Sequence, residues 1–127
     1  MDRYNPLQAP DPTAWLALTE DERTELVEAY HEADPPRTDP GGVRLHVMIH
    51  VIVENQIAEG DALPVREKAR QLVTQGLDRH DAIHAIGSVL AHHMVNVARG
   101  RITEPDPNAR YFSALRRLTA RKWLQSG

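Results

Sequence analysis

Residues 43–59, VRLHVMIHVIVENQIAE, form the most informative segment for the fold of this chain. At about 100° per residue its apolar side chains cover nearly the whole circumference of a helix, with Val43, Val47 and Val51 along one side. A helix that is apolar all round is covered by its neighbours on every side. The stretch therefore predicts a central, buried helix that ends at Gly60.

The remaining sequence also follows the helical period, and it contains no internal repeat or low-complexity tract. Capping residues and helix breakers divide it at the following positions: a capping box at Thr19–Glu22, a stop at Asp34–Pro36 with a loop to Gly42, a start near Pro64, an end at Gly76, a cap at Asp78, an end near Arg99, and breaks at Pro105 and Pro107. The stretch Trp15–Leu18 reads as a separate turn. The sequence predicts an all-α fold, a compact bundle of about five helices.

A chain of 127 residues has material for one hydrophobic core. We expect a single helical domain over residues 1–127, with an acidic helical segment and loop in residues 1–41 and a motif-bearing core in residues 42–124. Neither a signal peptide nor a membrane span is recognisable, which predicts a cytoplasmic protein without a membrane partner.

Charge is distributed unevenly along the chain. Residues 1–34 contain nine acidic and two basic side chains, whereas residues 107–127 contain five basic and no acidic ones. The basic segment lacks the glycine-rich or aromatic interleaving of a nucleic-acid-binding tract. We therefore expect these two segments to pack against each other, and no nucleic-acid partner.

Histidine is the residue type that carries chemistry here. The chain has seven histidines and no cysteine, which excludes thiolate metal sites and cysteine nucleophiles. His46, His50 and Glu54 recur at intervals of four on the central helix, and His80 and His84 repeat that interval on the helix capped by Asp78. Side chains four apart stack on one helix face, so each histidine pair can present two imidazoles to one ion.

The two histidine-bearing helices are expected to run parallel, because one helix lies between them and short connections make successive helices antiparallel. His46 and His50 then lie at the level of His80 and His84, with Glu54 one turn deeper. The predicted site is a divalent metal centre of nitrogen and oxygen ligands, with zinc, iron or nickel as the ion. Its ligands are His46, His50, Glu54, His80 and His84, with Gln56, Asn55 or Asp81 as acceptors for the outer ring nitrogens.

Several readings stay open at this point. If the centre is catalytic, Glu54 is a ligand or the general base; the alternative is a metal-free helical interaction or dimerisation module with a buried histidine network. The substrate and the existence of a homodimer are undetermined. No phosphate-binding glycine loop, dinucleotide fingerprint or serine triad occurs, so no nucleotide or flavin is expected. His31 and His92 are expected at the surface.

The motifs LHVMIHVIVENQIAEG from Leu45 and GLDRHDAIHAIGSVL from Gly76, with Tyr111 and Leu115 further on, resemble an uncharacterised bacterial family of small helical domains. That family carries an LHxxxHxxxExQ motif followed by an HxAxH motif. The resemblance covers about the last two-thirds of the chain and leaves out the acidic N-terminal segment. It implies a helical fold and singles out the residues His46, His50, Glu54, Gln56, His80 and His84, without implying a reaction.

Overall fold

The computed structural model describes residues 1–33 and 40–126, apart from the side chains of residues 40 and 41. Within these residues the chain is helical and contains no strand, so the predicted all-α class is confirmed. The helices are α1 (Pro12–Ala17), α2 (Glu20–Ala33), α3 (Pro40–Ala58), α4 (Val65–Thr74), α5 (Arg79–Ala98), α6 (Ala109–Arg117) and α7 (Ala120–Ser126), with a short 3-10 turn at Gly60–Ala62.

The capping residues act as predicted. The Thr19 amide donates to the Glu22 carboxylate at 3.0 Å and the Glu22 amide donates to the Thr19 hydroxyl at 3.1 Å, which is a capping box. Asp78 accepts from the amide of Asp81 at 2.7 Å and so caps α5. Gly76 follows α4 with a φ of +110°, a conformation that glycine adopts without strain. The predicted stop at Asp34–Pro36 lies outside the described residues.

The helix count is higher than predicted: the described residues contain seven helices, where we expected about five. The turn at Trp15–Leu18 belongs to α1, and α3 begins at Pro40 inside the predicted loop. The last helix is divided in two because Leu118 is extended, with a ψ of 133°. The Leu118 carbonyl accepts from Lys68 of α4 at 2.8 Å, and this bond replaces one that a continuous helix would make.

The central position of α3 is confirmed. This helix packs against α1, α2, α4 and α5. Val47 and Val51 lie with Trp15 and Val27 in one apolar cluster, whereas Val53 lies in a second cluster built with α4, α5, α6 and α7. The two clusters share α3, so its residues hold the two sides of the molecule together. Among the described side chains of α3, the exposed ones are Arg44, Leu45 and Met48.

The prediction that the two histidine-bearing helices are parallel is wrong. Glu54 of α3 contacts Arg79 at the start of α5 at 2.7 Å, and the ring of His46, two turns earlier, lies 4.8 Å from that of His84. Residue numbers therefore rise along α3 as they fall along α5, so these helices are antiparallel. The intervening α4 has 10 residues against the 19 of α3, so it is too short to run back along the whole of α3.

The expectation that the acidic and basic segments pack together is also wrong. The main contacts of α1 and α2 are with α3, whereas α6 and α7 contact α4 and α5. Among the described residues, no ion pair joins residues 1–33 to residues 107–126. In the part of the chain that the structure describes, no helix is long and apolar enough to cross a membrane.

Gly87 is a point of close approach between α3 and α5. A Cβ atom built on Gly87 would lie 2.9 Å from Cγ2 of Ile49, well inside normal contact distance. The contacted methyl belongs to a β-branched side chain, which has few alternative rotamers on a helix. Glycine is required here by the packing.

We predict that Gly87→Ala destabilises the protein. Alanine adds about 1 kcal/mol of helix propensity, but the overlap with Ile49 costs about 1–3 kcal/mol, so the free energy of unfolding in urea should fall. Ser88→Ala, at an exposed position of the same helix, is the control for propensity and should leave stability within about 0.5 kcal/mol of the wild type. A Gly87→Ala variant as stable as the wild type would contradict the close packing.

Candidate metal centre

Five imidazoles from three helices form one cluster between α2, α3 and α5. His46 and His50 come from α3, His80 and His84 from α5, and His31 from α2. Ring centroids of neighbouring members lie 4.2 Å apart for His80 and His84 and 4.8 Å apart for His31 and His46. The sequence-predicted histidines therefore do come together, although their helices are antiparallel.

The cluster contains two groups of three imidazoles with the spacing of ligands to one ion. In each group, every histidine offers one ring nitrogen, and these three nitrogens all lie within 4.8 Å of one another. One group is His31, His46 and His50, and the other is His50, His80 and His84. His50 belongs to both groups and is therefore the centre of the arrangement.

The prediction that His31 lies at the surface is wrong: only 4% of this residue is exposed. Arg23, Val27 and His31 follow one another at intervals of four along α2, and all three are buried. The position of His31 one turn after the apolar Val27 was the signal that could have placed it inside. The exposure predicted for His92 is confirmed.

The protonated nitrogen of His31 can be assigned from its partner. Nδ1 lies 2.8 Å from the carbonyl oxygen of Val27, which can only accept, so Nδ1–H is the donor. A neutral imidazole then carries its lone pair on Nε2. That atom is buried and has no hydrogen-bond partner among the described residues. His31 therefore presents an unsatisfied lone pair inside the cluster.

The same assignment holds for His50, through Tyr4. The Tyr4 hydroxyl is in contact with the Glu54 carboxylate, to which it donates, and lies 2.6 Å from Nε2 of His50. Burial, and after it the negative charge of Glu54, raise the pKa of Tyr4, so the phenol keeps its proton. Because the one proton of the hydroxyl makes the hydrogen bond to Glu54, the hydroxyl oxygen accepts a hydrogen bond from His50 Nε2–H. Nδ1 of His50 then carries the lone pair, and it too is buried without a partner in the described part of the chain.

Glu54 lies beside the cluster and is bound to other groups. Its carboxylate accepts two hydrogen bonds from the Arg79 guanidinium, at 2.7 and 2.8 Å, and a third from Tyr4. The antiparallel packing is the cause, since Glu54, one turn beyond His50, meets the residue that precedes His80. Neither three-histidine group includes Glu54. Sequence reasoning did not single out Tyr4 or Arg79.

Two of the predicted outer partners, Asn55 and Gln56, form hydrogen bonds to side chains other than the histidines. Asn55 accepts from the Trp15 indole at 2.9 Å, and Gln56 accepts from the Tyr111 hydroxyl at 2.6 Å. Both amides thus join α3 to helices away from the histidines. The groups that orient His31 and His50 are instead the Val27 carbonyl and the Tyr4 hydroxyl.

Burial keeps three of the clustered imidazoles neutral. Desolvation, and after it the neighbouring imidazoles, lower the pKa of His50 to about 2 and that of His84 to about 4. Desolvation also lowers the pKa of His46. At neutral pH these imidazoles are unprotonated, which is the form that binds a metal ion.

A pocket of about 230 Å³ opens beside the cluster, between α3 and α5. His46, His50 and His84 line one part of it, and small or apolar residues line the rest. Three of the clustered imidazoles therefore also face a space large enough for a small molecule.

A sequence model of a protein family, described as a domain of unknown function (DUF1841), matches residues 14–117. The matched residues include the five clustered histidines, Glu54 and Arg79, whereas Tyr4 precedes them. The match starts earlier than the resemblance predicted, and it includes most of the acidic segment. No match was found among curated proteins or among solved structures. Because the family match spans most of its length, the chain belongs to the DUF1841 family.

We predict that the metal-free protein loses stability as the pH falls from about 6.5 towards 4. An unfolded histidine titrates near 6.5, whereas His50 and His84 titrate lower in the folded chain, so unfolding takes up protons in this range. Each proton taken up lowers the free energy of unfolding by about 1.4 kcal/mol per pH unit.

Urea unfolding in chelator-treated buffer between about pH 5 and 6.5, where histidine dominates the titration, measures this slope. His84→Gln should flatten it, and His92→Gln, at an exposed position of the same helix, should not. A free energy of unfolding that is constant over this interval would contradict the assignment of neutral buried imidazoles.

Proposed function

We propose that this member of the DUF1841 family binds one divalent transition-metal ion in its histidine cluster. One observation carries the proposal: Nε2 of His31 and Nδ1 of His50 hold buried lone pairs without a partner in the described residues, and the two residues belong to one three-histidine group. A buried acceptor that lacks a donor costs about 1–3 kcal/mol. A metal ion would satisfy several such lone pairs at once.

The direction of the hydrogen bonds favours an ion over a network of imidazoles. A metal-free network needs some ring N–H groups to point at neighbouring ring nitrogens. His31 and His50 direct their N–H groups outwards, to the Val27 carbonyl and the Tyr4 hydroxyl. Histidines that ligate metals use this pattern, in which an acceptor outside the site fixes the tautomer and the orientation of the ring.

The proposal is for one ion per chain. His50 belongs to both three-histidine groups, and its Nε2 is engaged by Tyr4. Only Nδ1 is left to bind a metal, so two ions cannot use His50 at the same time. Either group, or a mixture of both, can supply the remaining ligands.

The donors determine the class of ion. Imidazole nitrogen suits zinc, iron and nickel, whereas calcium and magnesium require oxygen ligands. Glu54 is not a ligand in this proposal; it acts through Tyr4, which it holds against His50. With three or more nitrogen ligands and a pocket alongside, a bound ion would supply Lewis acidity to a donor molecule in that pocket.

We predict that chelator-stripped protein takes up one equivalent of Zn²⁺, measured by elemental analysis after equilibrium dialysis. At about a hundredfold excess over Kd the ion should add roughly 2.7 kcal/mol to the free energy of unfolding, which raises Tm by roughly 10 °C. His50→Gln, which affects both groups, should abolish stoichiometric uptake. His31→Gln and His84→Gln each leave one group intact and should weaken uptake less.

His92→Gln is the control, since this histidine is exposed and belongs to neither group. Circular dichroism of each variant shows whether it has folded. The proposal fails if the folded wild-type protein binds no Zn²⁺, Fe²⁺ or Ni²⁺ and its Tm is unchanged by these ions. That result would favour the metal-free histidine module instead.

We also predict that Tyr4→Phe lowers Zn²⁺ affinity by about 10–100-fold, the usual effect of losing the partner of a ligating histidine. The substitution removes the hydroxyl that receives His50 Nε2–H, so the ring can turn and change tautomer. Tyr111→Phe is the matched control, because it removes a buried hydroxyl that bonds to Gln56 away from the cluster. Titration calorimetry at fixed pH should separate the two variants, and equal affinities would contradict the role assigned to Tyr4.

A further inference from the structure

We infer that the pocket between α3 and α5 binds a small, mainly apolar molecule that has one donor atom, directed at the histidine-bound ion. This inference rests on the proposed metal site and specifies what that site binds. Its basis is the location of the pocket and the side chains that line it, among them two histidines that each hold a buried nitrogen without a partner in the described residues.

The pocket is kept open by small residues on α5. Gly87, Ser88 and Ala91 lie on its wall, opposite Ile49 of α3. The absence of a Cβ atom at Gly87 leaves the space that the Ile49 methyl group approaches. Larger side chains at these positions would fill the pocket, so its volume of about 230 Å³ depends on them.

The histidines on one side of the pocket hold nitrogen atoms that lack a hydrogen-bond partner in the described part of the chain. His50 lines the pocket, is only 2% exposed, and has Nδ1 buried without a partner among the described residues. His84 also lines the pocket, and its Nε2 is likewise buried without a partner among the described residues. A ligand in the pocket would therefore have its donor end next to the ion proposed to bind these nitrogens.

The other residues that line the pocket determine which kind of ligand body it accepts. The described residues that line the pocket include no carboxylate, lysine or arginine, and apart from the imidazoles only Ser88 is polar. A charged tail would lose its hydration there without gaining a partner. An alkyl or similar apolar body would instead gain from burial against Ile49, Ile83 and Ala91.

The experiment uses Co²⁺ as a spectroscopic substitute for the ion and alkyl thiols as probes, under anaerobic conditions. Coordination forms a bond from thiolate sulfur to Co²⁺, the thiol proton passes to solvent, and the charge-transfer band in the near ultraviolet reports binding. Ethanethiol and butanethiol have the same donor but differ by two methylenes. 2-Mercaptoethanesulfonate has that donor on a charged tail.

Burial contributes about fourfold in affinity per methylene. Butanethiol should therefore bind the Co²⁺-loaded protein roughly tenfold more tightly than ethanethiol, and the sulfonate more weakly than either. Ala91→Leu should reduce the butanethiol preference to below about threefold, because the new side chain occupies the pocket. Ala98→Leu, at an exposed position of α5 outside the pocket, should leave that preference unchanged.

The outcomes separate the two claims. If the protein binds no Co²⁺, the proposed metal site fails and this inference fails with it. If Co²⁺ binds with one equivalent but the three thiols bind equally well, only the pocket assignment is overturned. An unchanged preference in folded Ala91→Leu also overturns it; if that variant does not fold, Ser88→Leu on the exposed rim takes its place.

Discussion

The buried ion pair between Glu54 and Arg79 is the interaction on which the rest of the structure depends. The carboxylate is 1% exposed and accepts two bonds from the guanidinium, which also donates to the Pro6 carbonyl at 3.0 Å. Breaking such a pair leaves a buried charge and costs about 3–5 kcal/mol. The pair fixes the level of α3 against α5 and holds the N-terminal segment across both helices.

The orientation of the histidine cluster follows from this pair. Glu54 accepts the hydrogen bond of the Tyr4 hydroxyl, so the Tyr4 oxygen accepts one from Nε2–H of His50, and Nδ1 of His50 is left with a buried lone pair. On the opposite side, the Val27 carbonyl has the same effect on His31. An electrostatic interaction between two helices thus determines which ring nitrogens are available. The metal-binding proposal depends on that polarity as much as on the number of histidines.

Local sequence was sufficient to predict several helix ends. The capping box at Thr19, the cap at Asp78 and the glycine at Gly76 act within a few residues of one another, so their effects could be predicted without a partner helix. The prediction that the two histidine pairs meet was also correct, although the predicted helix direction was wrong. A pair that spans one turn meets another such pair at the same level whether the helices are parallel or antiparallel. Glu54, one turn outside its pair, has a different neighbour in each case, and its partner was therefore not predicted.

The sequence by itself determined the all-helical class, the central helix and four of the five clustered histidines, because helix period and spacing are properties of a single segment. Only the tertiary structure decided the antiparallel packing of α3 and α5, the burial of His31 and the pairing of Glu54 with Arg79. The physical reason is that each depends on a contact between segments far apart in the chain. The direction of α5 against α3 selects which side chains meet.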